Sequence, residues 1–278
     1  MTEAVNLPNA IQLDNRSRDL RRLVVRALDG GGRGHIGSSM SLIEILRVLY
    51  DDVLRHRPAE PKWQGRDRFI LSKGHGCLAL YAILADKGYF PTEELARFCQ
   101  RDSFLGGHPE AGKIPGVEAS TGTLGHGLSI GIGVALAARI RKTDSRIFVA
   151  MGDGEIDEGS VWEAAMCAGK HALSGLTAII DYNKMQSYGP VSEVQPLEPL
   201  GAKWRAFGFD VVEVDGHDVA ALRVAFAPRR GAPRPLAVIC HTVKGKGLPF
   251  AENDAAWHHK SKIKPEQVAA MYAALENG

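Results

Sequence analysis

The chain has 278 residues, of which 45% are hydrophobic and 24% charged, and its formal net charge is +2. These values are ordinary for a soluble globular protein, and the small net charge gives no reason to expect binding to nucleic acid or to a membrane surface. The four cysteines (Cys77, Cys99, Cys167 and Cys240) form no CxxC pair, which favours reduced packing residues of a cytoplasmic protein over disulfides or zinc ligands. The first 20 residues lack the apolar segment of a signal peptide, and no run is long enough to span a bilayer.

Helical and strand patterns alternate along the chain. The apolar spacing over 14–29 predicts an amphipathic helix that the glycines at 30–32 end. Further helices are predicted at 39–54, 75–87, 91–101, 125–141, 158–172, 217–227 and 264–276. Strands are predicted at 68–71, 146–152, 176–182, 210–216 and 235–243. This alternation favours an α/β fold with a parallel sheet and helices on both faces, which we expect to form one domain over 1–278, with 228–235 as a surface loop.

The main chemical signal follows two of these strands. Gly152-Asp153-Gly154 comes directly after one buried run, and Asn183 ends the next. Ligands bind beyond the carboxyl ends of parallel strands, where glycines let a bulky anion approach and a helix start offers N–H groups to phosphate. Asp153, Asn183 and a nearby backbone carbonyl would give oxygen ligands for Mg²⁺, whose other positions bind phosphates. A tight turn or a cap explains either motif alone, but the pair favours a diphosphate site.

The segment 152–191 resembles the thiamine-diphosphate motif of transketolases. It reads GDGEIDEGSVWEAAMCAGKHALSGLTAIIDYNKMQSYGPV. Other blocks follow in the family's order: GHIGSSMSLIEILRVLY, DRFILSKGHGCLALYAILADKGYF, GGHPE, GTLGHGLSIGIGVALA and ENDAAWHHK. The resemblance covers nearly the whole chain and implies a thiamine-diphosphate-binding fold. The length resembles that of the N-terminal, diphosphate-binding subunit of a split transketolase.

The resemblance implies a role for each matching residue. The metal ligands, for Mg²⁺ or Ca²⁺, would be Asp153, Asn183 and the Met185 carbonyl. The residues that contact the cofactor would be His75, Gly122, Leu124, Gly125, Gly152, Gly154, Glu158, Asn183 and His258. The catalytic residues would be His35, His75, His108, His258 and Glu158, of which Glu158 would reach toward a catalytic glutamate of the partner subunit.

The histidines also suit the implied chemistry. Moving a two-carbon ketol unit from a ketose to an aldose needs proton donors and acceptors around the sugar near neutral pH, and imidazole has a suitable pKa. His35, His75 and His108 each follow a glycine, which leaves room for a ligand at the chain. A Gly-His pair in a turn explains any one of them, but three in family order favour a site. Histidines 126, 171, 217, 241 and 259 are interpreted mainly as structural or surface residues.

The resemblance also implies a second chain. The pyrimidine-binding domain, the glutamate that activates the cofactor and most residues that bind the sugar phosphate are absent. We therefore expect an obligate heteromer with a C-terminal transketolase subunit, two copies of each chain and two-fold symmetry. Four positions depart from the family's pattern: Ile36 follows the first histidine, His126 replaces a glutamine, and Lys184 and Tyr188 replace glycine and aspartate. These departures bear on substrate preference and leave the metal ligands in place.

Three alternatives are weighed against this hypothesis. A nicotinamide dehydrogenase would need a glycine fingerprint directly after a strand. The glycines from Gly125 onward imitate that fingerprint, but the run before them is too polar to be a buried strand, so close helix packing explains these glycines better. A non-catalytic relative would be expected to lose the metal ligands or the site histidines. Another thiamine-diphosphate-dependent ketol transferase or synthase, acting on a specialised sugar or biosynthetic intermediate rather than on pentose-phosphate sugars, fits the chain equally well.

Overall fold

A parallel sheet organises residues 12–229 and 231–277, the part of the chain that this computed structural model describes. Its strands are β1 (Arg68–Leu71), β2 (Ile147–Gly152), β3 (Leu176–Tyr182), β4 (Asp210–Asp215) and β5 (Leu236–His241). They lie in the order β1-β2-β3-β5-β4, and each neighbouring pair is parallel. Every predicted strand is confirmed with closely similar bounds. The search for a signal peptide rests largely on residues 1–11, which lie outside the described residues, as do Arg230 and Gly278.

Helices follow each strand and precede the first. They are α1 (Asn15–Gly31), α2 (Ile36–Met40), α3 (Ile43–Val48), α4 (Cys77–Asp86), α5 (Gly127–Ile140), α6 (Gly159–Lys170), α7 (Val191–Val194), α8 (Leu200–Ala206), α9 (Val219–Ala225) and α10 (Pro265–Asn277). Turns of 3₁₀ helix lie at Gly74–Gly76, Thr92–Arg97, Gly154–Asp157 and Ala255–Trp257, and a π-helical turn lies at Leu49–Val53. Among the described residues, no helix is both long and apolar enough to cross a membrane.

The sheet separates two apolar cores. Phe148 and Ala150 of β2 face one core, which contains the buried side chains of α1 to α4, α9 and α10. Ile147 and Val149 alternate with them and face the other core, which contains those of α5, α6 and α8. Because both faces of the strand are covered, its sequence is a continuous apolar run rather than an alternating one. The prediction of helices on both faces is confirmed.

Two helix predictions are wrong in detail. The helix predicted over 39–54 is divided into α2, α3 and the π-helical turn, and Ser41 lies at the division, where its hydroxyl donates to Asp181 Oδ2 at 2.6 Å. The helix predicted over 91–101 is only the 3₁₀ segment Thr92–Arg97, since Phe98 is extended and Cys99 has a φ of 56°. The short helices α7 and α8 were not predicted.

Candidate functional site

A cleft of about 320 Å³ opens beyond the carboxyl ends of β2 and β3. These ends lie side by side, with Gly152 in register with Asp181. The predicted residues that line the cleft are His35, His75, His108, Gly122, Leu124, Gly152, Asp153, Gly154, Asn183, Met185 and His258. The fold therefore brings together residues that are more than 200 positions apart in the sequence.

Asp153 is a buried carboxylate at the end of β2. Its Oδ1 accepts a hydrogen bond from the Gly154 N–H at 2.8 Å, and its Oδ2 accepts one from the Lys184 N–H at 2.6 Å. Burial, and then the negative charge of Asp181, raise its pKa to about 6. A nearby cation would offset the effects of burial and of the Asp181 charge on this pKa. Each carboxylate oxygen of Asp153 still has a lone pair with which to bind such a cation. Its environment therefore fits a metal ligand.

Asn183 and Met185 lie opposite Asp153 on the segment after β3. The Asn183 Oδ1 accepts a hydrogen bond from the Met185 N–H at 3.1 Å, and the Met185 carbonyl accepts one from Lys244 Nζ at 2.8 Å. An ammonium group thus lies at the carbonyl that was predicted to bind a metal. One carboxylate, one amide and one carbonyl oxygen form a hard donor set suited to Mg²⁺. Among the described residues there is no cluster of three or more His, Cys, Asp or Glu side chains able to hold a metal ion. The predicted ligand set is of another kind, since Asp153 is its only member of these four residue types.

Two lysines, which the sequence analysis missed, bring positive charge into the cleft. Lys73 is 1% exposed and donates to Asp181 Oδ2 at 2.5 Å. Lys244 is also 1% exposed, and burial, followed by the charge of Lys73, lowers its pKa to about 8. Lys73 lies in the block DRFILSKGHGCLALYAILADKGYF, which the resemblance includes, and Lys244 lies just after β5. The positions of both lysines at the cleft depend on how distant strands pair. Cations in so closed a space favour an anionic ligand.

The four predicted histidines form one cluster on the wall of the cleft. The His35 ring centroid lies 5.3 Å from those of His75 and His258 and 6.5 Å from that of His108. His259, interpreted from sequence as a structural or surface residue, is nearer still, at 4.5 Å. Gly34 and Lys260 pair through two backbone hydrogen bonds of 2.9 Å. This pairing holds the segment that carries His35 against the segment that carries His258 and His259.

The environment of the cluster keeps its imidazoles neutral. Burial, with neighbouring imidazoles and lysines, lowers the pKa of His35 to about 4 and that of His258 to about 3. Burial also lowers the pKa of His75 and of His108. A neutral imidazole can both donate and accept a hydrogen bond, which suits the hydroxyl groups of a sugar.

Two fully buried side-chain atoms of the residues that line the cleft have no hydrogen-bond partner among the described residues. They are the Ser38 hydroxyl, in a residue 1% exposed, and His258 Nδ1. Buried polar groups in folded proteins are almost always paired, so these atoms are consistent with a ligand that supplies the partner. The fit of this site to a polar, anionic cofactor thus rests on unpaired polar atoms as well as on charge.

Glycines keep the walls of the cleft close to each other. A Cβ on Gly122, whose φ is 148°, would meet the His108 ring at 2.9 Å. A Cβ on Gly74 would lie 2.8 Å from the Gly122 backbone nitrogen. Only glycine fits these two positions without displacing a neighbour.

Two residues of the loops around the cleft, Glu158 and Gly125, were predicted to contact the cofactor but do not line the cleft. Glu158 is exposed, does not line the cleft, and packs through its Cβ and Cγ against Gly125. Gly125 is buried behind the lining and holds the loop in place from there. Glu155, which the sequence analysis did not single out, does line the cleft. His126 is exposed, in agreement with its interpretation as a structural or surface residue, and its Nδ1 lies 2.9 Å from the Leu124 carbonyl oxygen.

Comparison with known proteins identifies the class of this α/β fold. Residues 14–276 match the family model for transketolase, thiamine diphosphate binding domain. The chain belongs to the transketolase family.

Two similar relatives are named as subunits. A 6-deoxy-6-sulfo-D-fructose transketolase subunit of Clostridium sp. strain MSTE9 is 42% identical over 96% of this chain and 97% of its own length. An apulose-4-phosphate transketolase subunit of Phocaeicola vulgatus is 42% identical over 89% of this chain and 88% of its own length. Chains of this length in the family are therefore found as subunits.

Larger transketolases contain the same fold. A transketolase from Pichia stipitis superposes with a TM-score of 0.88 and 31% identity, over 94% of this chain and 40% of that chain. A transketolase from Leishmania mexicana superposes with a TM-score of 0.87 and 32% identity, over 96% of this chain and 42% of that one. The chain thus spans about two fifths of the length of these solved transketolases.

Proposed function

We propose that this chain is the diphosphate-binding subunit of a two-chain, thiamine-diphosphate-dependent ketol transferase. The observation that carries the proposal is the convergence of Asp153 and Asn183 with two buried lysines and a histidine cluster at one cleft. A non-catalytic relative would be expected to lose the predicted metal ligands or the site histidines, and both sets line this cleft. The reaction moves a two-carbon ketol unit from a ketose donor to an aldose acceptor.

Each part of the cleft has a role in this proposal. Asp153, Asn183 and the Met185 carbonyl would hold Mg²⁺, while Lys73 and Lys244 would balance the charge of the diphosphate. Thiamine diphosphate, when bound, supplies the carbanion stabilisation that ketol transfer needs. The neutral histidines would bind the sugar hydroxyls, orient them and exchange protons with them.

A partner subunit would complete the site. This chain covers about two fifths of the solved transketolases, and its relatives of equal length are named as subunits. The partner would carry the pyrimidine-binding domain and the glutamate that activates the cofactor, and two copies of each chain would form the active heterotetramer.

The relatives favour a specialised sugar substrate over the pentose phosphates. Two relatives, both 42% identical, are named for 6-deoxy-6-sulfo-D-fructose and for apulose 4-phosphate, while a transketolase 2 of Xanthobacter flavus is 39% identical and the transketolase of Rattus norvegicus 36%. We infer a ketose with an anionic group as the donor. Identifying the ketose donor would show whether this chain acts in primary or in specialised metabolism.

An activity assay tests the proposal. The chain alone and its complex with the partner subunit would be assayed with thiamine diphosphate, Mg²⁺, an aldose phosphate acceptor and three donors: fructose 6-phosphate, 6-deoxy-6-sulfofructose and apulose 4-phosphate. Ketol transfer in the complex alone is expected. Transfer by the chain alone would refute the need for a partner, and a complex that binds no thiamine diphosphate would refute the function.

The metal site has a separate test. Asp153→Ala removes the only carboxylate of the predicted ligand set, so Mg²⁺-dependent binding of thiamine diphosphate to the complex should be lost. The matched control is Asp19→Ala, which changes an exposed carboxylate on α1. Calorimetry at fixed Mg²⁺ measures both variants. Retention of full affinity by Asp153→Ala would remove this residue from the site.

A further inference from the structure

Glu155 is a buried carboxylate that the roles assigned so far do not use. It lies in the 3₁₀ turn after β2 and is 2% exposed. Its Oε1 accepts hydrogen bonds from the Gly125 N–H, at 3.0 Å, and from the Ser72 hydroxyl. Its Oε2 accepts one from the Gly152 N–H at 3.1 Å. One side chain thus connects the ends of β1 and β2 with the loop before α5.

The neighbouring hydrogen bonds fix the direction of each contact. The Ser72 oxygen accepts a hydrogen bond from the Gly127 N–H at 3.0 Å, so its own proton is free to donate to Glu155. Every partner of Glu155 is therefore a donor. Only a carboxylate accepts at both ends, because an amide in the same place would direct its NH₂ group at one of these donors.

The loop that Glu155 holds is fixed from the other side as well. The Ser160 hydroxyl donates to the Gly125 carbonyl at 3.0 Å, so both polar groups of Gly125 are bound by the segment after β2. Gly125 has a φ of 79°, and a Cβ there would meet Ser160 Oγ at 2.5 Å. The loop is thus held at a fixed distance from Gly152–Gly154, across the cleft.

We infer that Glu155 is a positioning residue: it sets the spacing between the two loops that hold the cofactor, 122–125 and 152–154. The inference rests on the proposed function, because it concerns the same cleft. Side chains that orient the ligands of a metal change metal affinity or activity about 10- to 100-fold when they are lost, and we expect an effect of similar size here. Glu155 acts through the backbone of both loops, and no chemical step is assigned to it.

Glu155→Gln in the complex with the partner tests this inference. The variant keeps the shape of the side chain but mismatches one donor, so the Kd for thiamine diphosphate at saturating Mg²⁺ should rise about 10- to 100-fold. The control is Glu118→Gln, which weakens a half-buried pair with Arg66, and neither of these residues lines the cleft. Both variants should lower the melting temperature of the cofactor-free chain, but only Glu155→Gln should change the Kd.

A second variant keeps the test decisive if Glu155→Gln does not fold. Ser160→Ala removes the other contact to Gly125 and should raise the same Kd several-fold. If both variants fold, an unchanged Kd for thiamine diphosphate in Glu155→Gln and in Ser160→Ala would overturn the positioning role. If only Ser160→Ala folds, an unchanged Kd in that variant would overturn it. A wild-type complex that binds no thiamine diphosphate would instead refute the proposed function, so the two failures are distinguishable.

Discussion

At the floor of the cleft, Lys73 and Asp181 form an ion pair in which neither residue is more than 1% exposed. The Asp181 carboxylate also accepts hydrogen bonds from the hydroxyl groups of Ser41 and Thr242, so both of its oxygens have hydrogen-bond partners. Such a pair adds little net stability over a well-packed apolar pair, because removing two charges from water is costly. We interpret its retention as a way of keeping a cation close to the loops that we propose bind the diphosphate, 122–125 and 152–154.

Breaking this pair should be more harmful than removing it. Asp181→Asn removes the only carboxylate that contacts the buried Lys73 ammonium among the described residues, and the free energy of unfolding should fall by about 3–5 kcal/mol. Urea unfolding of the chain measures the effect. The double variant Lys73→Met/Asp181→Asn removes both charges and should recover part of the loss. A single variant as stable as wild type would contradict the role of Asp181 as the counter-charge of Lys73.

The predictability of the site from sequence differs from residue to residue. Asp153 and Asn183 directly follow apolar strands, so a local pattern identifies them. Lys73 and Glu155 were missed because their partners, Asp181 and the Gly125 backbone, come from distant parts of the chain. Lone charged residues are usually exposed, and only the pairing of the strands shows that these are buried.

At the scale of elements, α1 shows that neighbouring glycines can have different functions. The sequence predicted that the glycines at 30–32 end the helix, but α1 continues through Gly31. Gly32 alone has the left-handed conformation of a cap, with a φ of 62°. A Cβ on Gly30 would lie 2.2 Å from the Ala96 carbonyl oxygen, so this glycine permits close packing of α1 on Thr92–Arg97.

Substitutions at these two glycines should therefore differ in their cost. Gly30→Ala introduces a clash with backbone and should lower the free energy of unfolding by about 1–3 kcal/mol. Gly32→Ala meets no atom within 4 Å and should cost about 1–2 kcal/mol, from its left-handed φ alone. Urea unfolding of the two variants, with crystal structures, separates the causes. Movement of Thr92–Arg97 is expected only in Gly30→Ala, and its absence would contradict the packing role.

Strands were easier to predict than helices for a physical reason. A strand such as β3, buried on both faces, leaves a continuous apolar run that few other structures produce. The pattern over 39–54 is equally apolar, but tertiary contacts such as that of Ser41 with Asp181 divide it. Those contacts depend on residues 140 positions away, which local spacing does not encode.

At the scale of the whole molecule, a buried network joins four distant segments. Arg21 of α1 donates two hydrogen bonds to Glu44 of α3, at 2.6 and 2.9 Å. His217 Nε2 accepts the Val243 N–H at 2.9 Å, so its Nδ1 donates to Glu44 at 2.8 Å. The network holds the chain after β5 against the first helices, next to Lys244.

This network should make the stability of the chain depend on pH in acid. Burial raises the pKa of Glu44, but the charge of Arg21 lowers it further, so that it lies well below the ordinary value of 4.5. The stabilisation is therefore complete above about pH 4.5 and is lost as the pH falls toward the folded-state pKa, by about 1.4 kcal/mol per pH unit. Urea unfolding measured between pH 3 and 7 should show that the free energy of unfolding depends less on pH in Glu44→Gln than in the wild type. Equal slopes would contradict this role.

The outer face of α5 is the surface on which we expect the partner subunit to pack. Ile130 (38% exposed) and Ile140 (80%) lie on that face, and Ile130 also lines a groove that shares His108 and Gly122 with the cleft. Between them, Gly133 is exposed and a Cβ there would meet no atom within 4 Å. Glycine within a helix costs about 1 kcal/mol relative to alanine, which favours a closely packed neighbour in the assembly.

Gly133→Leu separates assembly from folding. The isolated chain should remain folded and gain slightly in melting temperature, because glycine is the poorer helix former and the new side chain meets no atom. The complex should weaken at least about 10-fold in Kd, since a bulky side chain would separate the subunits. Val224→Asp, on α9 beyond the opposite face of the sheet and 78% exposed, is the control and should leave assembly unchanged. Light scattering and calorimetry with the partner measure both variants, and wild-type affinity in Gly133→Leu would place the partner on another surface.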